Sequence, residues 1–168
     1  MKQHSRSPFH FTSTYNIVAT PEQVVNSDNE FTGGLEGVRG YYNFGVNSYE
    51  NTICYNITLV GFRGDYQSPA RSATHIHEAP EGQSGPPRIA FPNPTGDGEF
   101  RRSIGCLTGP FVTGVNATDG SDTGTGFHVR EIEEDPAAFF ADVHSSLAVP
   151  GAVRGQLDKD RGCPASKH

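Results

Sequence analysis

The sequence predicts an all-β protein, mainly antiparallel, built as a β-sandwich or a small Greek-key barrel with one short helix. Charged residues make up only 19% of the 168 residues, while 20 glycines and 12 prolines supply frequent turns. Short apolar runs also alternate with polar residues at the period of two that half-buried strands require. Turn residues separate these runs at the spacing typical of sandwiches and barrels.

The expected strands follow one another along the chain. The first, FTSTYNIVAT, ends at Pro21, and the next, GLEGVRGYYNFGV, is interrupted by glycines. The clearest strand is TICYNITLVGF, because its apolar side chains fall on one face. Those side chains belong to Ile53, Tyr55, Ile57 and Leu59. The later strands are SATHIHEA, RIAF, EFRRSIGCLTG, FFADVHSSLA and GAVRGQLD.

One short helix is predicted within VREIEEDPAAFF, residues 129–140. Val129, Ile132 and Phe139 are placed to face the core. Asp135 precedes a proline, and a residue in that position avoids the helical region, so the helix should end or break there.

The chain divides into one domain and two tails. We expect a flexible N-terminal tail over residues 1–10 and a polar C-terminal tail over residues 158–168. The single domain between them spans residues 11–157. Residues 81–99 and 113–126 are rich in Gly, Pro, Asp and Thr, which predicts long surface loops.

The charge balance argues against nucleic acid as a partner. The net charge is −6 and the pI is near 5.6. Phosphate backbones require clustered Lys and Arg, and the sequence has no basic run. No stretch has the roughly 18 apolar residues that a membrane span requires. We therefore expect neither nucleic-acid binding nor a membrane span.

Two features favour a secreted, extracellular protein. Asn56 and Asn116 each begin an Asn-x-Thr acceptor sequence for glycosylation. The opening residues MKQHSRSPFHF lack the apolar core of a signal peptide, so we expect the numbering to begin after a removed signal. The second feature is the set of cysteines.

The three cysteines predict a disulfide rather than a zinc knuckle, because none belongs to a C-x-x-C pair. Cys54 and Cys106 both lie in predicted strands, and we expect them to pair. That bond would close a loop of about 50 residues and stabilise the fold by roughly 3–4 kcal/mol. Two alternatives stay open. The first concerns Cys163, which is free, pairs with Cys54 or Cys106 instead, or pairs with another chain. The second is that all three cysteines are reduced thiols of an intracellular protein.

Histidines and an aspartate fall on matching faces of separate strands. His75 and His77 are two residues apart, so both rings project from the same face of their strand. The same alternation places Asp142 and His144 together, and it turns Arg154 outward on the last strand. If these three strands are neighbours, three imidazoles and one carboxylate form a compact cluster.

Such a cluster has the composition of a transition-metal site. Imidazole is a good ligand for Cu(II) and Zn(II), and the two rings of a His-x-His pair can reach one ion. We name His75, His77, His144 and Asp142 as candidate metal ligands, with copper as the preferred ion and zinc as the alternative. The competing interpretation is structural. There the imidazoles bond to backbone carbonyls or to Asp142 and hold loop 79–87 on the sheet, while Arg154 pairs with Asp142.

Several separated motifs resemble the chordin-like (CHRD) domain family. SATHIHEAPEGQSGPPRIAF matches the family's Ala-x-His-Ile-His segment with its Gly-Pro loop, and DPAAFFADVHSSLAVPGAVRGQL matches its Val-His-Ser and Pro-Gly-x-x-Arg-Gly-Gln-Leu segments. The matches cover roughly residues 30–157. The resemblance implies an extracellular β-sandwich-like domain, similar to the stand-alone secreted members of microbes and in particular of fungi. The family's repeated histidine positions fall on His75, His77 and His144.

These observations predict three candidate functions. The first is a secreted protein that binds copper through the cluster. The second is a non-catalytic extracellular module in which the histidines are structural and loops 79–99 and 113–126 contact an unknown protein partner. The third, an enzyme with His144 or Asp142 as general base, has the least support because no complete catalytic constellation is present.

Overall fold

Eight strands carry most of the chain over residues 9–158, which the computed structural model describes. The strands are β1 (Ser13–Ala19), β2 (Arg39–Asn47), β3 (Thr52–Val60), β4 (Thr74–Glu78), β5 (Pro87–Phe91), β6 (Phe100–Thr108), β7 (Phe139–Ser145) and β8 (Ala148–Gln156). Helix α1 spans Arg130–Glu134, and 3₁₀ turns span Pro21–Gln23 and Pro136–Ala138. The predicted mainly antiparallel β protein with a short helix is confirmed.

The strands form two antiparallel sheets of four. The first sheet has the order β1-β2-β3-β6 and the second has the order β5-β4-β7-β8. The predicted inner face of β3 is buried, and it consists of Ile53, Tyr55, Ile57 and Leu59. Across the core, the ring of Phe91 on β5 lies 5.5 Å from that of Phe44 and 4.9 Å from that of Tyr55. The two sheets therefore pack face to face as a β-sandwich.

The expected disulfide joins β3 to β6. Cys54 and Cys106 are direct partners in the strand register, and their Cα atoms lie 3.9 Å apart. Because Ile53 and Tyr55 face the core, the disulfide lies on the outer face of the first sheet. The predicted pairing is confirmed, and Cys163 lies outside the described residues.

The predicted helix is shorter than its sequence pattern. It ends at Glu134, because Asp135, which precedes Pro136, leaves the helical region with φ −145° and ψ 78°. The chain then makes a 3₁₀ turn and enters β7 at Phe139. Val129, Ile132 and Phe139 are buried, as predicted. The break at the proline thus sets where β7, the strand that carries Asp142 and His144, begins.

Several predicted strand boundaries differ from the structure, and the largest error precedes β2. The segment 34–46 is a strand only from Arg39 onward, because Gly34 and Gly37 adopt φ values of +52° and +82°. Gly34 also passes so close to β8 that a Cβ would lie 2.5 Å from the carbonyl oxygen of Ala152. The predicted strand RIAF is present as β5, so residues 81–99 form loops only on either side of it.

Candidate metal centre

Three neighbouring strands of the second sheet bring the candidate residues together. His75 on β4 is the direct partner of Asp142 on β7, and Asp142 is in turn the partner of Arg154 on β8. His77 and His144 lie two residues along their strands and share that face. The β7–β8 register shifts between Val143 and Ser145, so His144 sits at a bulge. The side-by-side arrangement on which the predicted cluster depended is therefore present.

The Asp142 carboxylate lies at the centre of the three imidazoles. Its Oδ1 is 3.4 Å from His75 Nδ1, and its Oδ2 is 3.3 Å from His77 Nε2 and 3.0 Å from His144 Nε2. The ring of His144 lies 5.2 Å from that of His75 and 5.9 Å from that of His77. One ligand atom from each residue falls within 4.8 Å of the others, so one ion could contact all four.

The other nitrogen of each ring is hydrogen-bonded to a backbone carbonyl. The bonds run from His75 Nε2 to Ser72 O (2.6 Å), from His77 Nδ1 to Gly85 O (2.8 Å) and from His144 Nδ1 to Val149 O (2.9 Å). A carbonyl oxygen only accepts, so each of these nitrogens must carry the hydrogen. In the neutral rings, the nitrogens that face Asp142 are therefore bare lone pairs.

With all three rings neutral, the atoms that face one another at the centre of this cluster are acceptors without a donor. His77 Nε2 lies 3.3 Å from His75 Nδ1, and both face an ionised carboxylate that can only accept. Asp142 Oδ1 is buried without a hydrogen-bond partner. Only a proton or a cation between these atoms makes the contacts favourable. The donor set of three imidazole nitrogens and one carboxylate oxygen fits a transition metal.

The charge states agree with this requirement. Burial lowers the pKa of His144, but the charge of Asp142 and the hydrogen bond to it raise the pKa more strongly, to about 9. Burial raises the pKa of Asp142, yet His77 and His144 hold it well below its ordinary value, so the carboxylate is ionised. At His75 burial dominates and lowers the pKa, which favours the neutral ring that a metal needs.

The same face of the sheet also anchors a loop, as the structural interpretation expects. Arg154 donates from Nη1 to Gln83 O at 2.6 Å and from Nη2 to Pro80 O at 2.9 Å, while its guanidinium lies 3.5 Å from the centroid of the Phe140 ring. The expected Arg154–Asp142 pair is replaced by these contacts. Among the three histidines, His77 contributes to this anchoring through its bond to Gly85 O, while its other nitrogen faces Asp142.

Some participants were missed by the sequence reasoning. Phe140 stacks on His77 with ring centroids 4.9 Å apart, and strand alternation could have placed it on the face of Asp142. The carbonyls of Ser72, Gly85 and Val149 carry no sequence signal, because every residue has a carbonyl. His128 lies at the start of α1, where its Nδ1 accepts the Arg130 N–H, and it takes no part in the cluster.

The fold and the buried cluster define a class: an antiparallel β-sandwich with a disulfide in one sheet and, on the outside of the other, a cluster of three histidines and one aspartate that could hold a metal ion. A family model described as the CHRD domain matches residues 16–157, so the chain belongs to the CHRD domain family. Domains of this family are typically extracellular. No curated protein and no solved structure matches the chain. Neither α1 nor the short turns within residues 9–158 have the length and apolar character to cross a bilayer.

Proposed function

We propose that this chain is a secreted CHRD domain that binds one transition-metal ion through His75, His77, His144 and Asp142. The proposal depends on one observation: three imidazole nitrogens, each with its opposite N–H bonded to a carbonyl, converge on one buried carboxylate. Hydrogen bonds of this kind set the tautomer and the orientation of metal-binding histidines.

Copper is the preferred ion. Ca²⁺ and Mg²⁺ take oxygen ligands, whereas a nitrogen-rich site suits Cu(II) and Zn(II), and copper leads the affinity order of the divalent metals. Within residues 9–158 no thiolate is available to the site, because Cys54 and Cys106 are bonded to each other on the opposite sheet. Zinc is the alternative, since three nitrogens and one oxygen also suit a tetrahedral ion.

Titration of Cu(II) into the metal-free protein is expected to saturate at one ion per chain. In the variant His75→Ala/His77→Ala, two of the four ligands are lost, and affinity should fall by more than about 100-fold, since even the loss of a supporting hydrogen bond weakens metal sites 10–100-fold. The bound metal is measured by elemental analysis after gel filtration, and a parallel titration with Zn(II) ranks the two ions.

His128→Ala is the matched control, because its imidazole lies outside the cluster and its loss should leave binding unchanged. A second variant, His144→Gln, retains the His-x-His pair and covers the case in which the double variant does not fold. Equal copper affinity in the wild type and in both cluster variants, at preserved circular dichroism, would overturn the proposal.

A second candidate function is an extracellular protein-interaction module, the role that CHRD domains serve. This function is favoured by the single ordered conformation of the exposed loop 113–126, which follows β6. Asp122 accepts hydrogen bonds from the backbone N–H groups of Thr113, Gly114 and Gly124, which holds this loop in one conformation. The partner is unknown. Loss of partner binding in Asp122→Ala, with copper binding intact, would separate this function from the metal site.

Secretion makes one further result expected: a glycan on Asn116 and none on Asn56. Asn116 lies in the exposed loop after β6, where a glycan meets only solvent. Asn56 lies on β3 between its register partners Asn43 and Ile104, and its Oδ1 is buried. Intact-mass analysis of protein secreted from a eukaryotic host checks this, because Asn116→Gln should remove the glycan mass and Asn56→Gln should not. A glycan that persists in Asn116→Gln contradicts it.

A further inference from the structure

A cavity of about 300 Å³ opens beside the candidate metal centre. Two of the four candidate ligands, His77 and Asp142, line it, together with Arg154. The cavity therefore reaches the candidate metal centre on the side where the His77 imidazole and the Asp142 carboxylate lie. An ion held there is open on that side to a further ligand. Open positions of this kind distinguish metal sites that bind small molecules from closed structural sites.

The walls of the cavity are mainly apolar. They are built by Val24, Val25, Phe140, Pro150 and Gly151. Val24 and Val25 are buried, and the Val24 side chain packs against Gly151, where an added Cβ would lie 3.1 Å from its Cγ1. Ser27 and Ser84, which also line the cavity, are exposed and mark the side open to solvent. A ligand would therefore meet charge at the floor and hydrocarbon along the sides.

The charges at the floor favour an anion. Arg154 is 3% exposed as a residue, and its guanidinium is held in place by Gln83 O, Pro80 O and the Phe140 ring. Its charge and that of a divalent ion outweigh the single negative charge of Asp142. Glu81 is the other carboxylate whose charge acts on Arg154, but it is exposed and does not line the cavity.

We propose that the metal-loaded site binds a small carboxylate with a short apolar tail. The carboxylate contacts the ion and Arg154 at the floor, and the tail packs along Val24, Val25 and Phe140. The space corresponds to about ten water-sized groups, which admits a carboxylate with a short alkyl chain and excludes a long-chain fatty acid. This inference rests on the proposed metal function, since the ion supplies one of the two positive charges.

The test uses the copper-loaded protein and a series of simple carboxylates. Acetate, butanoate and the uncharged butanamide are titrated while the electron paramagnetic resonance and visible spectra of Cu(II) are followed. Butanoate is expected to bind about tenfold more tightly than acetate, because two more methylene groups leave water. Butanamide should leave the copper spectrum unchanged, because it lacks the charge.

Two substitutions at Val24, which is not a candidate ligand, test the apolar wall in opposite directions. Val24→Phe fills the cavity and should abolish the preference for butanoate over acetate. Val24→Ala enlarges the cavity and should shift the preference toward hexanoate. If one of these variants does not fold, the other still tests the wall, and copper stoichiometry checks each variant.

The outcomes separate the inference from the proposed function. A wild-type protein that binds no copper removes both. Stoichiometric copper with a spectrum that no carboxylate alters overturns the inference and leaves the metal site standing. Equal affinity for acetate and butanoate, or an unchanged chain-length preference in the folded Val24 variants, also overturns it.

Discussion

Copper(II) at about 1,000 times its dissociation constant is expected to raise the thermal unfolding midpoint of the wild-type protein by roughly 8–16 °C. An ion that binds only the folded chain adds about 4 kcal/mol at that concentration, and each kcal/mol shifts the midpoint by about 2–4 °C in a chain of this size. The site exists only in the folded state, because its ligands come from the separate strands β4 and β7. Thermal melts followed by circular dichroism measure the shift, and chelation should reverse it.

The variants decide where the stabilising ion binds. His75→Ala/His77→Ala should show no copper-dependent rise, while His128→Ala should show the full rise. An equal rise in the double variant would mean that the ion binds elsewhere, for example at His10 near the start of the domain. If the histidines serve only to anchor loop 79–87, the double variant should melt lower than the wild type without metal, and copper should stabilise neither protein.

Removal of the disulfide is the second large effect. The variant Cys54→Ala/Cys106→Ala is expected to lose roughly 3–4 kcal/mol of unfolding free energy, because the bond restricts the loop in the unfolded chain. The two cysteines are 52 residues apart in sequence, so the restricted loop is long. The folded sheet keeps its hydrogen-bonded β3–β6 pair in the variant, so most of the loss arises in the unfolded state. Equilibrium unfolding in guanidinium chloride measures this free energy and the midpoint concentration of the transition.

Two comparisons test this explanation. A reducing agent should lower the wild-type midpoint to that of the variant and should leave the variant unchanged. Cys163→Ala retains the Cys54–Cys106 bond and should keep the wild-type midpoint in oxidising buffer. A variant as stable as the oxidised wild type would show that the bond contributes little beyond the packing of the two sheets.

The strand pattern could be predicted because it depends on local alternation. On β3, apolar residues at every second position predict both the strand and its buried face without any knowledge of tertiary contacts. The same rule placed His75 and His77 together on one face of β4, and Asp142 and His144 together on one face of β7. At Gly34 and Gly37 local reasoning failed. Both adopt positive φ values, and at Gly34 the backbone passes close to β8, which is a contact between distant parts of the chain.

The burial of the histidine face could not be predicted from alternation. A face opposite the core is usually solvent-exposed, yet His75 and Asp142 are almost fully buried. The carbonyl of Gly85 lies over His77, and Arg154 binds two more carbonyls of the same loop. Which backbone carbonyl meets which ring depends on the path of a loop. Side-chain types do not encode that path at short range.

The amino-acid sequence by itself determined the short antiparallel strands and the faces of the four candidate ligands, and it favoured the Cys54–Cys106 pair, while it left a sandwich and a small barrel both open. The strands and faces were determined because strand alternation and turn residues act over a few neighbouring positions. Only the tertiary structure decided that β4, β7 and β8 are neighbours, that each imidazole bonds a backbone carbonyl through one nitrogen and turns the other toward Asp142, and that a cavity opens beside them. These features depend on contacts between segments far apart in the chain, where sheet order and loop paths set the distances.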